Sequence, residues 1–273
     1  MIRLICIDVD GTLVGTSGEV RKEVWACAEQ ARARGVRLAL CSGRPGFGKT
    51  REYARRLDDT GWHVFQNGAS VLSLGSGATR SSPLEAGNVA RLIDRAREMN
   101  RTLELYTDTS YVVEQDSTSA ATHAGILGVP FAPRPFASLE GIVVRAQWLL
   151  APEEEEEERA ERARFSGLEV AASTSPLMPG TTFVNMTNDG THKGSAVAAV
   201  AAAYGFDLAD VMFVGDGDND LPAMRLVGHP VAMGNAEPGV RAIARYTVGH
   251  VDAEAPALGG LAEAFALVLA MTP

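Results

Sequence analysis

Apolar residues fall along this chain in two rhythms: short unbroken runs that end in polar, glycine-rich loops, and longer stretches with the three-to-four spacing of amphipathic helices. The first run, Leu4-Ile5-Cys6-Ile7, stops abruptly at Asp8-Val9-Asp10-Gly11. Such a run reads as a strand of a parallel sheet, buried on both faces, with Asp-Val-Asp-Gly at its carboxyl end. A helical pattern from Val20 to Arg34 closes at Gly35. Val36 to Cys41 reads as a second strand ending in Ser42-Gly43-Arg44-Pro45, and a helix follows from about Lys49 to Leu57. His63 to Gln66 and Val71 to Leu74 read as a hairpin about Asn67-Gly68.

The texture changes near Ser81-Ser82-Pro83. Patterns for a helix (Leu84 to Met99), two strands (Leu103 to Tyr106, Tyr111 to Glu114) and a helix (Thr118 to Leu127) precede a Pro-rich loop. A strand from Ile142 to Leu150 leads into Ala151-Pro152, which opens a helix carrying Glu153 through Glu158. Glutamates in the first turns after a proline suit the helix dipole and leave a solvated face. Strands at Leu168 to Ala172 and Thr182 to Met186 complete this stretch. It reads as an inserted α/β domain, residues 83–183, between two segments of a core domain, 1–82 and 184–273.

The core pattern then resumes. Lys193-Gly194 opens an alanine-rich helix to Tyr204, and Val211 to Val214 is a strand ending in Gly215-Asp216-Gly217-Asp218-Asn219-Asp220. A helix from Leu221 to Val227, a strand from Pro230 to Met233 ending in Gly234-Asn235-Ala236, and helices at Pro238 to Ala244 and Gly259 to Leu269 follow. Strands alternating with helices predict an α/β fold with a doubly wound, mostly parallel sheet, whose ligand site lies at the carboxyl ends of the strands.

Composition narrows the possibilities. At 273 residues and 46% hydrophobic the chain can fill a sizeable core, and its length exceeds one average domain. A net charge of −9 disfavours a nucleic-acid partner but permits a small anionic substrate received by local cations. Cys6, Cys27 and Cys41 are odd in number and lack metal-ligand spacing, which suits buried thiols in a reducing compartment. The start lacks the order of a signal peptide, and no apolar run approaches the roughly 20 residues of a membrane span. The expectation is a soluble cytoplasmic protein, monomeric or homodimeric, with no membrane partner.

The candidate chemistry sits at the strand ends. Side chains alternate along an extended segment, so Asp8 and Asp10 leave the strand on one side, and two such carboxylates repel unless a cation or a shared proton neutralises them. Later strand and helix boundaries add Ser42, Lys193, Asp216 and Asp220. In order, Asp8-Val9-Asp10-Gly11-Thr12, Cys41-Ser42-Gly43-Arg44, Lys193-Gly194 and Gly215-Asp216 through Asp220 resemble the four motifs of the haloacid dehalogenase superfamily of phosphatases and phosphotransferases. About 150 residues lie between the second and third motifs, and few follow the first. The α/β insertion and the wording Ser-Gly-Arg-Pro, Asn-Gly and Gly-Asp-Gly-Asp-Asn-Asp are similar to the Cof-like, type IIB branch. The resemblance covers the whole chain and implies a Rossmann-like core with a substrate-selecting cap.

It also implies roles. Asp8 is expected to be a nucleophile that forms an aspartyl-phosphate, and Asp10 the acid and base for leaving group and water. Mg²⁺ is expected on the Asp8 carboxylate, the Asp10 backbone carbonyl and Asp216, with Asp220 helping directly or through water. Ser42 and Lys193 stabilise the transferring group. Gly11, Gly43, Arg44, Asn67 and Asn219 belong to the phosphate-binding surroundings, with Asn219 orienting Lys193 or Asp216. The expected substrate is a small phosphorylated metabolite, first a sugar phosphate. Phosphomutase activity, or action on phosphoglycolate, mannosyl-phosphoglycerate or cofactor phosphates, stays open. Tyr106, Thr107, His123 and Arg134 are candidates for substrate contacts in the cap.

One rival of another class is explicit. Gly43 to Thr50 satisfies the P-loop pattern between a predicted strand and a predicted helix, with Lys49 as its lysine and Asp216 available as the acid of a nucleotide hydrolase. That reading leaves Asp8, Asp10 and Lys193 unexplained. His63, His123, His192, His229 and His250 show no ligand spacing and are expected to be structural or surface groups.

Overall fold

The computed structural model describes residues 1–154, 156, 159, 165–174, 178–253 and 259–271. In chain order its main elements begin with β1 (Leu4–Ile7), α1 (Lys22–Ala33), β2 (Arg37–Leu40), α2 (Lys49–Asp58), β3 (Trp62–Phe65) and β4 (Ser70–Ser73). Next come α3 (Ala86–Glu98), β5 (Leu103–Tyr106), β6 (Tyr111–Val113), α4 (Thr118–Leu127), β7 (Arg145–Leu150), β8 (Leu168–Thr174) and β9 (Thr182–Asn188). The last are α5 (Lys193–Tyr204), β10 (Val211–Gly215), α6 (Leu221–Met224), β11 (His229–Ala232), α7 (Pro238–Ile243), β12 (Tyr246–Thr247) and α8 (Gly260–Met271). Of the glutamate-rich helix expected to open at Ala151-Pro152, Pro152–Glu154 form a 3-10 turn, and the rest lies mostly outside the described residues. The helix expected to reach Val227 is a single turn, and the edge strand β12 had no legible signal in its two residues.

The chain divides into two compact units. One comprises Met1–Gly43, Glu52–Arg80 and His192–Pro273; the other comprises Arg44–Arg51 and Ser81–Thr191. In the first unit, five parallel strands run in the order β12-β11-β10-β1-β2. Leu4, Ile5, Cys6 and Ile7 are all fully buried, so β1 needs apolar side chains on both faces, and the unbroken run in the sequence supplies them. β3 and β4 form the expected antiparallel hairpin, and a bridge from Cys41 to Val64 joins it to the end of β2.

The second unit carries a five-stranded antiparallel sheet in the order β6-β5-β7-β9-β8. Its registers put Leu103, Leu105, Ala146, Trp148, Val184 and Met186 on one face, where Leu92 and Ala96 of α3 join their cluster. The opposite face carries Glu104, Tyr106, Arg145, Gln147 and Asn185, all buried. Glu104 accepts hydrogen bonds from the Tyr106 hydroxyl (2.5 Å) and Gln147 Nε2 (2.9 Å), and His123 Nδ1 of α4 lies 2.9 Å away. The segment Arg44–Arg51 belongs here because Phe47 stacks on Tyr106 and Tyr111, at ring separations of 6.4 and 6.3 Å. Among the described residues, no helix is long and apolar enough to cross a membrane.

Candidate active site

All the strands of the first unit's sheet run the same way, so their carboxyl ends share one edge. Asp8 follows β1, Ser42 lies two residues past β2, Asp216 follows β10, and Asn235 lies three residues past β11. The ladder continues past the strands: Asp8 N–H donates to Val214 O at 3.0 Å and Cys41 N–H to Ile7 O at 2.8 Å. These bonds fix where the next side chains begin.

Lys193, the first residue of α5, joins the groups. Its ammonium donates to Asp8 Oδ1 and to Asp220 Oδ1, each at 2.6 Å, and its side chain is fully buried. The other Asp220 oxygen accepts the N–H groups of Asp216 (3.0 Å) and Gly217 (3.1 Å), so this carboxylate shapes its own loop as well as holding the lysine. Asp216 is placed by two donors, the Thr12 hydroxyl on Oδ1 at 2.8 Å and Asn235 Nδ2 on Oδ2 at 3.2 Å. Gly11, at φ +83°, has no room for a side chain: a Cβ there would stand 2.1 Å from Asp216 Oδ2. A Cβ on Gly215 would meet Asp220 Oδ2 at 2.3 Å, so these glycines clear space for carboxylates.

The electrostatics are those of an anion-rich site. Burial, reinforced by Asp220, Asp216 and Asp10, raises the Asp8 carboxyl well above the ordinary range despite Lys193. Burial likewise raises Asp216 to about 7, with Asp220 and Asp10 adding to it and the Thr12 hydrogen bond opposing. Burial by itself would lower the Lys193 ammonium, but Asp220 and then Asp8 outweigh it and hold it above the usual lysine value. Three close carboxylates, those of Asp8, Asp216 and Asp220, thus share one ammonium. Asp8, Asp216 and Asp220 offer oxygens within 4.8 Å of one another, a hard-oxygen set with surplus negative charge that a divalent cation fits. The Asp10 carboxylate is not in that close set, and its side chain is exposed.

The remaining sequence candidates form a second, contiguous group. Ser42 is fully buried and its carbonyl accepts the Asn67 N–H at 3.0 Å. Asn67 holds a left-handed backbone, φ +55°, and its Oδ1 accepts from Asn219 Nδ2 at 3.2 Å. The side-chain contact that Asn219 makes is thus with Asn67, where the sequence suggested Lys193 or Asp216. A Cβ on Gly43 would stand 3.1 Å from Asn67 Oδ1. Arg44 falls in the second unit, as does Lys49, whose side chain packs near Gly128 at the end of α4. The lysine and the acid of the P-loop alternative thus belong to different units. In the second unit Tyr106 and His123 are engaged with Glu104, Arg134 Nη2 donates to Tyr111 O at 2.8 Å, and the Thr107 hydroxyl sits in the turn before β6.

Two residues of the site escaped the sequence reading. Thr12 read only as the end of the first motif, and Asn235 only as a strand-end residue. The single signal for Asn235 was its place at the carboxyl end of another parallel strand.

A doubly wound parallel sheet whose carboxyl edge gathers three aspartates about a buried lysine defines an α/β enzyme built for phosphoryl chemistry. The chain belongs to the haloacid dehalogenase-like hydrolase family, whose sequence profile matches residues 5–257. YxeH of Bacillus subtilis (strain 168), provisionally named a phosphatase, is 26% identical over 252 residues, covering 90% of this chain and 92% of that protein. A haloacid dehalogenase-like hydrolase from Bacteroides thetaiotaomicron superposes with a TM-score of 0.86 at 23% identity, over 98% of this chain and 100% of that one. The subclass IIB sugar phosphatase BT4131 superposes with a TM-score of 0.79 at 22% identity, over 97% and 98%. The chain is a phosphatase of this family, and its aspartate group is suited to the metal ion that the family uses. Family membership leaves the P-loop reading of Gly43 to Thr50 without support.

Proposed function

We propose that this chain hydrolyses small phosphomonoesters, sugar phosphates first among them, with Mg²⁺ and through an aspartyl-phosphate on Asp8. The observation that carries the proposal is the Lys193 ammonium held at 2.6 Å from both Asp8 and Asp220, with Asp216 in the same carboxylate group. Asp8, the Asp10 backbone carbonyl and Asp216 would hold the cation. When bound, Mg²⁺ supplies positive charge against these carboxylates and the phosphoryl oxygens.

Lys193 steers Asp8 through Oδ1, so attack falls to Oδ2. That oxygen forms a bond to phosphorus as the bond to the leaving alkoxide breaks, and the exposed Asp10 carboxyl gives the alkoxide its proton. Asp10 then takes a proton from the water that attacks phosphorus, phosphate departs, and Asp8 is regenerated. Ser42 and Lys193 stabilise charge on the transferring group. The second unit, Ser81–Thr191 with Arg44–Arg51, serves as the substrate-selecting domain, somewhat larger than the 83–183 expected from the sequence, and the first unit carries the aspartate group. The sugar-phosphate class draws support from the neighbour named for that activity.

Hydrolysis of p-nitrophenyl phosphate and a panel of sugar phosphates tests this directly. Turnover is expected with Mg²⁺ and not with EDTA. Asp8→Asn is expected to remove a factor on the order of 10⁴ or more, as loss of a covalent nucleophile does, while Lys49→Ala leaves turnover within about twofold. Loss through Lys49 with retention through Asp8 would overturn the assignment.

A further inference from the structure

A carboxylate serves a cation well only if it is aimed, and Asp216 is aimed from two sides. Thr12 fixes Oδ1; the partner of Oδ2 is Asn235, 19 residues further along the chain. The same Nδ2 donates to the Gly11 carbonyl at 2.8 Å, and the Asn235 Oδ1 accepts the Val251 N–H at 3.0 Å. A primary amide offers two donors and an acceptor on one planar group, which is what these three contacts use.

We infer that Asn235 is a positioning residue for the cation site: it holds Asp216 and the Gly11 carbonyl in register and ties both to the turn at 249–252. The inference rests on the proposed reading of Asp8, the Asp10 carbonyl and Asp216 as cation ligands. It adds that the site has a brace from a fourth strand end, outside the four motifs. Gly11 directly follows Asp10, so pinning its carbonyl restricts the peptide plane next to the Asp10 carbonyl. The 249–252 turn is fastened a second time, by Asp252, whose carboxylate accepts the Thr16 N–H at 3.1 Å and hydroxyl at 3.0 Å. Asp252 thus offers a control, since its substitution loosens the same turn without removing a contact to Asp216.

The test is calorimetric titration of MgCl₂ into the full chain without substrate, alongside melting in EDTA. Asn235→Ala is expected to weaken Mg²⁺ binding on the order of 10–100-fold, as loss of groups that orient metal ligands does, while keeping a single cooperative melt in EDTA. Asp252→Ala is expected to bind Mg²⁺ within about threefold of wild type. Binding by Asn235→Ala within about twofold of wild type would overturn the inference, and so would an equal loss in Asp252→Ala. If the wild-type chain itself takes up no Mg²⁺, the cation reading fails first and the inference with it.

Discussion

A lysine ammonium shut away from water persists only where anions replace its hydration, and Lys193 has Asp8 and Asp220 at 2.6 Å for that purpose. His63 solves the opposite problem by staying neutral. Its Nδ1 accepts the Leu40 N–H at 3.0 Å, so the proton sits on Nε2, which donates to Asp58 O at 2.7 Å. Burial lowers its pKa from 6.5 to about 4. As the pH falls below 6.5 the unfolded chain takes up a proton that the folded chain accepts only near 4, so the unfolded state binds more protons across that window. The contribution of neutral His63 is fully present above pH 6.5 and declines to a loss of up to about 3 kcal/mol by pH 4, at about 1.36 kcal/mol per unit. Urea unfolding of wild type and His63→Gln between pH 7 and pH 4 isolates this effect, because titrations common to both cancel. The stability advantage of wild type is expected to shrink by that amount; an advantage independent of pH would refute the assignment of His63 as a buried neutral group.

At the scale of elements, the site depends on how α5 begins. His192 caps it: Nδ1 accepts the Ser195 N–H at 3.1 Å, and Ser195 Oγ accepts the His192 N–H at 3.2 Å. Lys193 is the next residue, so the cap also sets the direction in which the buried ammonium starts. His192→Ala is expected to cost about 1 kcal/mol of stability, the ordinary worth of an N-cap, and His192→Asn to restore most of it. Thermal melts of both variants check this, and an unaffected His192→Ala would show that packing alone fixes the helix start. The contrast with β1 explains what the sequence revealed. A strand buried on both faces needs an unbroken apolar run, so Leu4 to Ile7 and the aspartates after it were readable from a few adjacent residues. The lysine and the carboxylates were readable because each motif is local, even though the contact between Asp8 and Lys193 spans 185 positions. Asn235 was not, since its three partners come from three distant segments and nothing in Gly-Asn-Ala records them. The partner of Asn219 was hidden for the same reason, and so was the placement of Arg44–Arg51, which depends on Phe47 finding Tyr106 and Tyr111.

At the scale of the whole molecule, a net charge of −9 would act on both participants in the proposed reaction, the phosphomonoester and Mg²⁺, and with opposite sign. The summed field repels a phosphomonoester dianion and attracts Mg²⁺, whereas the contacts inside the buried site are screened little by salt. Raising ionic strength from about 0.01 to 0.15 M shortens the screening length from roughly 30 to 8 Å, which removes most of the long-range part and leaves the short-range contacts in place. With Mg²⁺ saturating, added KCl is therefore expected to raise kcat/KM, through easier approach of substrate, and to leave kcat unchanged. With Mg²⁺ limiting, the same KCl is expected to lower the rate, because the field that concentrates the cation weakens. Steady-state rates across a KCl series at two Mg²⁺ concentrations measure both slopes. Slopes of the same sign would show that the net charge does not govern the encounter and that local positive groups receive the substrate instead.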